Sequence, residues 1–218
     1  MKPDLGRWAL IGALIAGVSY VASWSLDLTE PAQTAWKGAG VALLAVYCAL
    51  NARDRDGWLI ALVMALGATG DVLLETHGLI VGAVAFLAGH LFAIWLYARN
   101  RREALSKSQL ALAIVLVPAV VAIAYLLPND RAMAPGVALY SAGLAIMAAM
   151  AWTSRFPRFR VGVGAILFVV SDLLIFARSG PLEGVAGMNL AVWATYFAGQ
   201  ALIAWGVVRA LADKGETA

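Results

Sequence analysis

The chain has 218 residues, of which 62% are hydrophobic and only 13% charged, with a net charge of +3 and a mean hydropathy of +0.82. A soluble domain carries about 25% charged residues, so this composition excludes an ordinary soluble fold. It fits an all-α polytopic membrane protein, in which each spanning helix satisfies its own backbone hydrogen bonds.

A spanning helix needs roughly 20 apolar residues. Eight stretches qualify, at about 8–26, 34–51, 57–75, 79–98, 109–127, 134–153, 160–178 and 188–210. The first is long enough to span and seven more follow it, so it is read as a helix rather than a signal peptide. The runs do not alternate with period two, which argues against a transmembrane barrel. The breaks between them carry charges, prolines or glycines, as loops should. No break is long enough for a soluble domain, so residues 1–218 are expected to form one transmembrane domain. The lone Cys48 permits no intramolecular disulfide.

Lysine and arginine set the expected orientation. Thirteen of the sixteen fall at the N-terminus, in loops 2–3, 4–5 and 6–7, or in the tail; only Lys37, Arg131 and Arg178 fall on the other side. Both termini are therefore expected in the cytoplasm. The positive excess sits in short loops, so the expected partner is a lipid bilayer and not nucleic acid.

Two short stretches organise the chain. Gly67–Glu75 reads GATGDVLLE and Phe168–Phe176 reads FVVSDLLIF. Each sets an aspartate, Asp71 or Asp172, inside an apolar segment, and the two are 101 positions apart. A carboxylate in a lipid-spanning helix is costly and by default marks a functional site. At about 1.5 Å per residue, Asp71 lies about 21 Å and Asp172 about 18 Å from the cytoplasmic helix ends, with His90 about 16 Å down from the other side. Glu75 follows Asp71 by four positions and shares its helix face.

A second pair of stretches echoes the first. FLAGHLFAIW (86–95) in helix 4 resembles YFAGQALIAW (196–205) in helix 8. A parallel duplication, helices 1–4 and 5–8, explains both pairs. Helix 8 also carries Asn189, Trp193, Tyr196 and Gln200 along one polar-aromatic stripe. Such a stripe packs helices together or contacts a substrate.

Several signatures are absent. There is no GxSxG elbow and no phosphate-binding P-loop. There is no HExxH and no Cys/His cluster of the kind that holds zinc. Asp71, Glu75, His90 and Asp172 have donor atoms that a metal takes, but neither a metal nor a cofactor is expected.

At these residues the chain resembles the lysoplasmalogenase, or YhhN-like, family of integral membrane proteins. The carriers are Gly70-Asp71-Val72-Leu73-Leu74, Gly89-His90, Gly164 to Phe168 leading into Ser171-Asp172, and Tyr196 to Gln200. One departure stands out: the family often has a tyrosine shortly after the helix 4 histidine, where this chain has Phe92-Ala93. The resemblance implies a membrane hydrolase that cleaves the vinyl ether bond of a lysoplasmalogen to a fatty aldehyde and a glycerophospho-ethanolamine or -choline. That chemistry needs an acid to protonate the vinyl carbon and a base to activate water. Two carboxyls sharing one low-dielectric site suit it, one protonated and one ionised. The resemblance thus makes one of Asp71 and Asp172 the acid and the other the base, with either order open. His90 orients a carboxyl or holds water. Glu75, Asn189, Tyr196 and Gln200 are candidate substrate contacts, and one of Lys37, Arg131 and Arg178 is a candidate for the substrate phosphate, with Arg178 preferred. The Ala/Gly/Arg-rich composition is bacterium-like and suggests a bacterial cytoplasmic membrane; oligomeric state stays open.

Intramembrane acids in two related halves also describe a proton-coupled transporter or a lipid-translocating protein. Against that, Pro118 is the only proline well inside a segment, and no helix looks broken at mid-membrane. A scaffold whose acids only tie helices together is the third reading.

Overall fold

The computed structural model describes residues 4–215. Lys2 lies outside the described residues, as does the side chain of Lys214. Eight α-helices follow in order: α1 (Leu5–Ser19), α2 (Glu30–Asn51), α3 (Arg55–His77), α4 (Leu79–Arg99), α5 (Lys107–Leu126), α6 (Ala134–Thr153), α7 (Val163–Arg178) and α8 (Met188–Gly215). A 3₁₀ turn, Tyr20–Ser25, extends α1, and a π-helical turn, Arg158–Gly162, opens α7. Seven of these segments are long and apolar enough to cross a membrane. The exception is α2, whose first two turns carry Glu30, Gln33, Thr34 and Lys37. The protein is an all-α, polytopic, integral membrane protein.

Burial is inverted relative to a soluble protein. Ile80, Leu139 and Val18 are 77%, 74% and 70% exposed, whereas Asp71, His90 and Asp172 are 2%, 3% and 5% exposed. Apolar side chains outside and polar ones inside is what a hydrocarbon solvent selects.

The chain separates into two compact units, residues 1–96 with 204–218, and residues 97–203. In the first unit, Asp4 caps α1 by accepting the Arg7 N–H at 3.0 Å, and Asp54 caps α3 by accepting the Gly57 N–H at 2.8 Å. Each carboxylate satisfies an orphan donor of a helix first turn. α2 packs on both α1 and α3. Gly78, with φ +85°, ends α3 in the left-handed region that glycine enters freely. The chain then turns straight into α4, which runs back along α3. A Cβ on Gly82 would lie 2.8 Å from the Leu74 Cβ, and one on Gly70 would lie 2.8 Å from the Phe86 ring. Glycine is what lets α3 and α4 approach so closely.

In the second unit, Ser106 and Gln109 form a reciprocal capping box at the start of α5. α6 packs against α5 and α7. The loops at one end are tied together: Arg102 Nε donates to the Ser154 carbonyl at 2.7 Å, and the Arg155 N–H donates to the Asn100 carbonyl at 2.7 Å. The Val163 N–H donates to the Arg158 carbonyl five residues back, which widens the first turn of this segment into the π form. At the other end the Asn129 N–H donates to the Ser179 carbonyl at 2.9 Å.

Candidate active site

Asp71 sits in the body of α3 and His90 in the body of α4, both inside the first unit. The contacts between these helices fix their register. Leu74 meets Gly82, Gly70 meets Phe86, and Leu66 meets Gly89. His90 follows the glycine that faces Leu66, so its level on α3 is at least five residues before Asp71, an axial offset of about 8 Å. One turn beyond Asp71, Glu75 is exposed and ion-paired with Lys37 of α2. Lys37 thus comes to α3 from the neighbouring helix, a pairing that depends on the α2–α3 register and that spacing along the chain does not reveal.

Asp172 lies in α7 and its carboxylate accepts a hydrogen bond from the Tyr140 hydroxyl at 2.6 Å. Tyr140 belongs to α6, and its ring meets Phe176 edge-on at 6.1 Å. Sequence reasoning missed Tyr140. It stands alone in an apolar helix with no spacing relation to the aspartate, and only the neighbouring Ser141 marks that turn as polar. The residue before Asp172, Ser171, donates to the Val192 carbonyl at 3.1 Å and so links α7 to α8.

The α8 stripe divides. Trp193, Tyr196 and Gln200 are buried, whereas Asn189 is exposed. Tyr196 packs edge-on against Phe168 at 5.2 Å and lies tilted against Trp193 at 5.6 Å. Gln200 Nε2 donates to the Tyr196 hydroxyl oxygen at 3.3 Å. Asn189 accepts a hydrogen bond from Arg178 Nη1 near the end of α7. Arg131 is held by its own loop, donating to the Tyr125 carbonyl at 2.8 Å and lying over the Tyr125 ring. Within either unit, no group of three or more histidine, cysteine, aspartate or glutamate side chains among the described residues is placed to hold a metal ion.

Buried carboxyls on glycine-packed helices, in a chain with an apolar exterior, define a helical membrane protein with acid groups in its interior. Comparison with known proteins narrows this class. The profile of the YhhN family matches residues 32–207, and the chain belongs to that family. It is 30% identical over 184 residues to the lysoplasmalogenases of Mycobacterium bovis and Mycobacterium tuberculosis, covering 80% of this chain and 69% of each relative. It is 27% identical over 220 residues to human lysoplasmalogenase TMEM86B, covering 98% of this chain and 92% of that protein. No solved structure matches. At the family level the chain resembles lipid-modifying membrane enzymes.

Proposed function

We propose that the protein is a membrane hydrolase that cleaves the vinyl ether bond of lysoplasmalogens. The observation that carries this reading is the burial of two carboxyls, Asp71 and Asp172, in the bodies of apolar helices of a chain whose relatives are lysoplasmalogenases. One carboxyl delivers a proton to the vinyl carbon remote from oxygen. The resulting oxocarbenium ion is stabilised by the ionised partner carboxylate. That carboxylate then takes a proton from water as the water adds to the cationic carbon. The hemiacetal collapses, giving the fatty aldehyde and a free glycerol hydroxyl, so one water is consumed and the acid is regenerated.

Tyr140 holds the Asp172 carboxylate in place, and His90 is a catalytic candidate in α4 that orients a carboxyl or holds water. Glu75, Asn189, Tyr196, Gln200 and Arg178 contact the substrate or shape its path. The tie between the arginine-bearing loops, Arg102 to Ser154 and Arg155 to Asn100, supports placing both loops on one side of the membrane, with the termini cytoplasmic.

The test is release of aldehyde from 1-alkenyl lysolipids by the purified protein in detergent. An enzyme turns substrate over there, whereas a transporter needs sealed vesicles to act. Absence of aldehyde across a panel of alkenyl lysolipids overturns the proposal.

A further inference from the structure

The first unit carries a cleft that the acid–base chemistry does not use. It opens at the end remote from the α2–α3 loop, where the Tyr20–Ser25 turn, the start of α2 and the end of α3 converge. Its volume is about 730 Å³, and Tyr20, Glu30, Gln33, Glu75 and Thr76 are in its walls. Lys37 reaches it through the ion pair with Glu75, with side-chain exposures of 15% for the lysine and 41% for the glutamate. The ammonium is largely shielded and the carboxylate faces the opening.

We infer that this cleft binds the headgroup of the lipid substrate and selects a zwitterionic phospho-amine over an anionic headgroup. The inference rests on the hydrolase reading above and adds to it where the headgroup sits and what selects it.

Charge is the first argument. Two carboxylates, Glu30 and Glu75, stand against one ammonium, Lys37. A phosphoglycerol headgroup would bring a phosphate but no cation to a cleft whose two carboxylates already outnumber its ammonium. A phosphoethanolamine or phosphocholine brings its own cation to the carboxylates. Its phosphate meets Lys37, whose ammonium has three donors, of which Glu75 needs only one. Tyr20 adds an aromatic wall of the kind that suits a quaternary ammonium.

Depth is the second argument. Glu75 lies one turn, about 6 Å, beyond Asp71 on the same face of α3. In a lysoplasmalogen, five bonds separate the alkenyl ether oxygen from phosphorus. At about 1.2 Å of extended reach per bond this also spans about 6 Å. A phosphate at the level of Glu75 therefore sets the scissile ether at the level of Asp71. The volume falls in the range of about 300–1,000 Å³ usual for small-ligand sites.

The test uses the full chain in nonionic detergent. Ester-linked lysophosphatidylcholine and lysophosphatidylglycerol lack a vinyl ether, so binding is read without turnover. Wild type is expected to bind the choline lipid about tenfold more tightly than the glycerol lipid. Glu30→Gln and Glu75→Gln each reduce that preference, and Glu75→Lys reverses it. Both positions are exposed, and unchanged elution and melting verify the fold of all three variants. Equal binding of the two lipids by wild type, or an unaltered preference in both glutamine variants, overturns the inference. Aldehyde release without headgroup preference removes the cleft assignment and leaves the hydrolase. A glutamate-dependent preference with no aldehyde from any alkenyl lysolipid removes the hydrolase instead, and with it the assignment of the cleft to a substrate.

Discussion

The α3–α4 pair of the first unit and the α7–α8 pair of the second make the same contacts from matching positions. In the first, Gly89 faces the Val63 carbonyl and the Leu66 Cβ; in the second, Gly199 faces the Gly164 carbonyl and the Leu167 Cβ. Val63 and Gly164, Leu66 and Leu167, and Asp71 and Asp172 are each 101 positions apart. This recurrence supports reading the halves as a parallel duplication. The difference lies in closeness. A Cβ on Gly89 would rest at 3.5 Å, ordinary contact, but one on Gly199 would sit 2.7 Å from the Gly164 carbonyl. Glycine at 164 replaces valine at 63, so the second pair closes backbone on backbone. The second helix of each half also reaches a different acid. In the second unit, α6 sends Tyr140 to the buried Asp172. In the first, α2 sends Lys37 to Glu75 at the edge. The two halves share their buried acids and differ in the contact their second helix makes with the third.

If the halves contribute one acid each to a single reaction, Asp71→Asn and Asp172→Asn should each cut aldehyde release by at least about 100-fold. The double variant should be scarcely worse than the poorer single one, because groups acting as a unit are not additive. Elution of both variants as folded protein separates catalysis from structure. Full activity in either variant would end the two-acid mechanism.

Packing offers the next contrast. Gly199→Ala must push α8 away from α7, and overpacking of this kind costs about 1–3 kcal/mol. For a chain this long that is a fall in Tm of several degrees, at about 2–4 °C per kcal/mol. Gly89→Ala meets only ordinary contacts and gains helix propensity of up to about 1 kcal/mol, so its Tm should hold or rise. Equal losses at the two positions would mean that the contacts are not as different as their distances indicate.

Much of this was legible in the chain itself, and the exceptions have separate causes. Asp71, Asp172 and the glycines of α4 and α8 stand out because each breaks a local pattern. The helices are visible because hydrocarbon selects for length and apolarity. The start of α2 was less visible: Glu30 and Pro31 read as loop, yet Pro31 suits a first helical turn. The π-helical turn at Arg158–Gly162 rests on one five-residue bond, from the Val163 N–H to the Arg158 carbonyl, and the apolar pattern of the segment is the same with or without it. Tyr140 and the Lys37–Glu75 pair were illegible for a third reason. Each is a contact between helices, fixed by register, and register leaves no mark in the spacing along one helix.

Tyr140→Phe tests what the phenol adds. A hydrogen bond to a charged group contributes about 1.5–3 kcal/mol, so kcat should fall about tenfold with little change in KM. Because the phenol acts through Asp172, the pH–rate profile should move as well. A purely structural role would lower Tm and leave that profile in place. An unchanged kcat and profile would remove Tyr140 from the site and make the two halves more alike.

Lys37→Gln is expected to do least to stability. Its partner Glu75 is exposed, and pairs in contact with solvent contribute about 0–1 kcal/mol. The Tm should move by no more than about 4 °C, and the difference should shrink in high salt, which screens exposed charges. The tyrosine–aspartate bond of the second unit ends on a buried carboxylate and has a neutral donor, so it should ignore salt. A loss at Lys37 that was large and insensitive to salt would show that this pair is as sheltered as its counterpart. The two halves would then differ in the chemistry of that contact, an ion pair against a phenol, and no longer in its shelter from water.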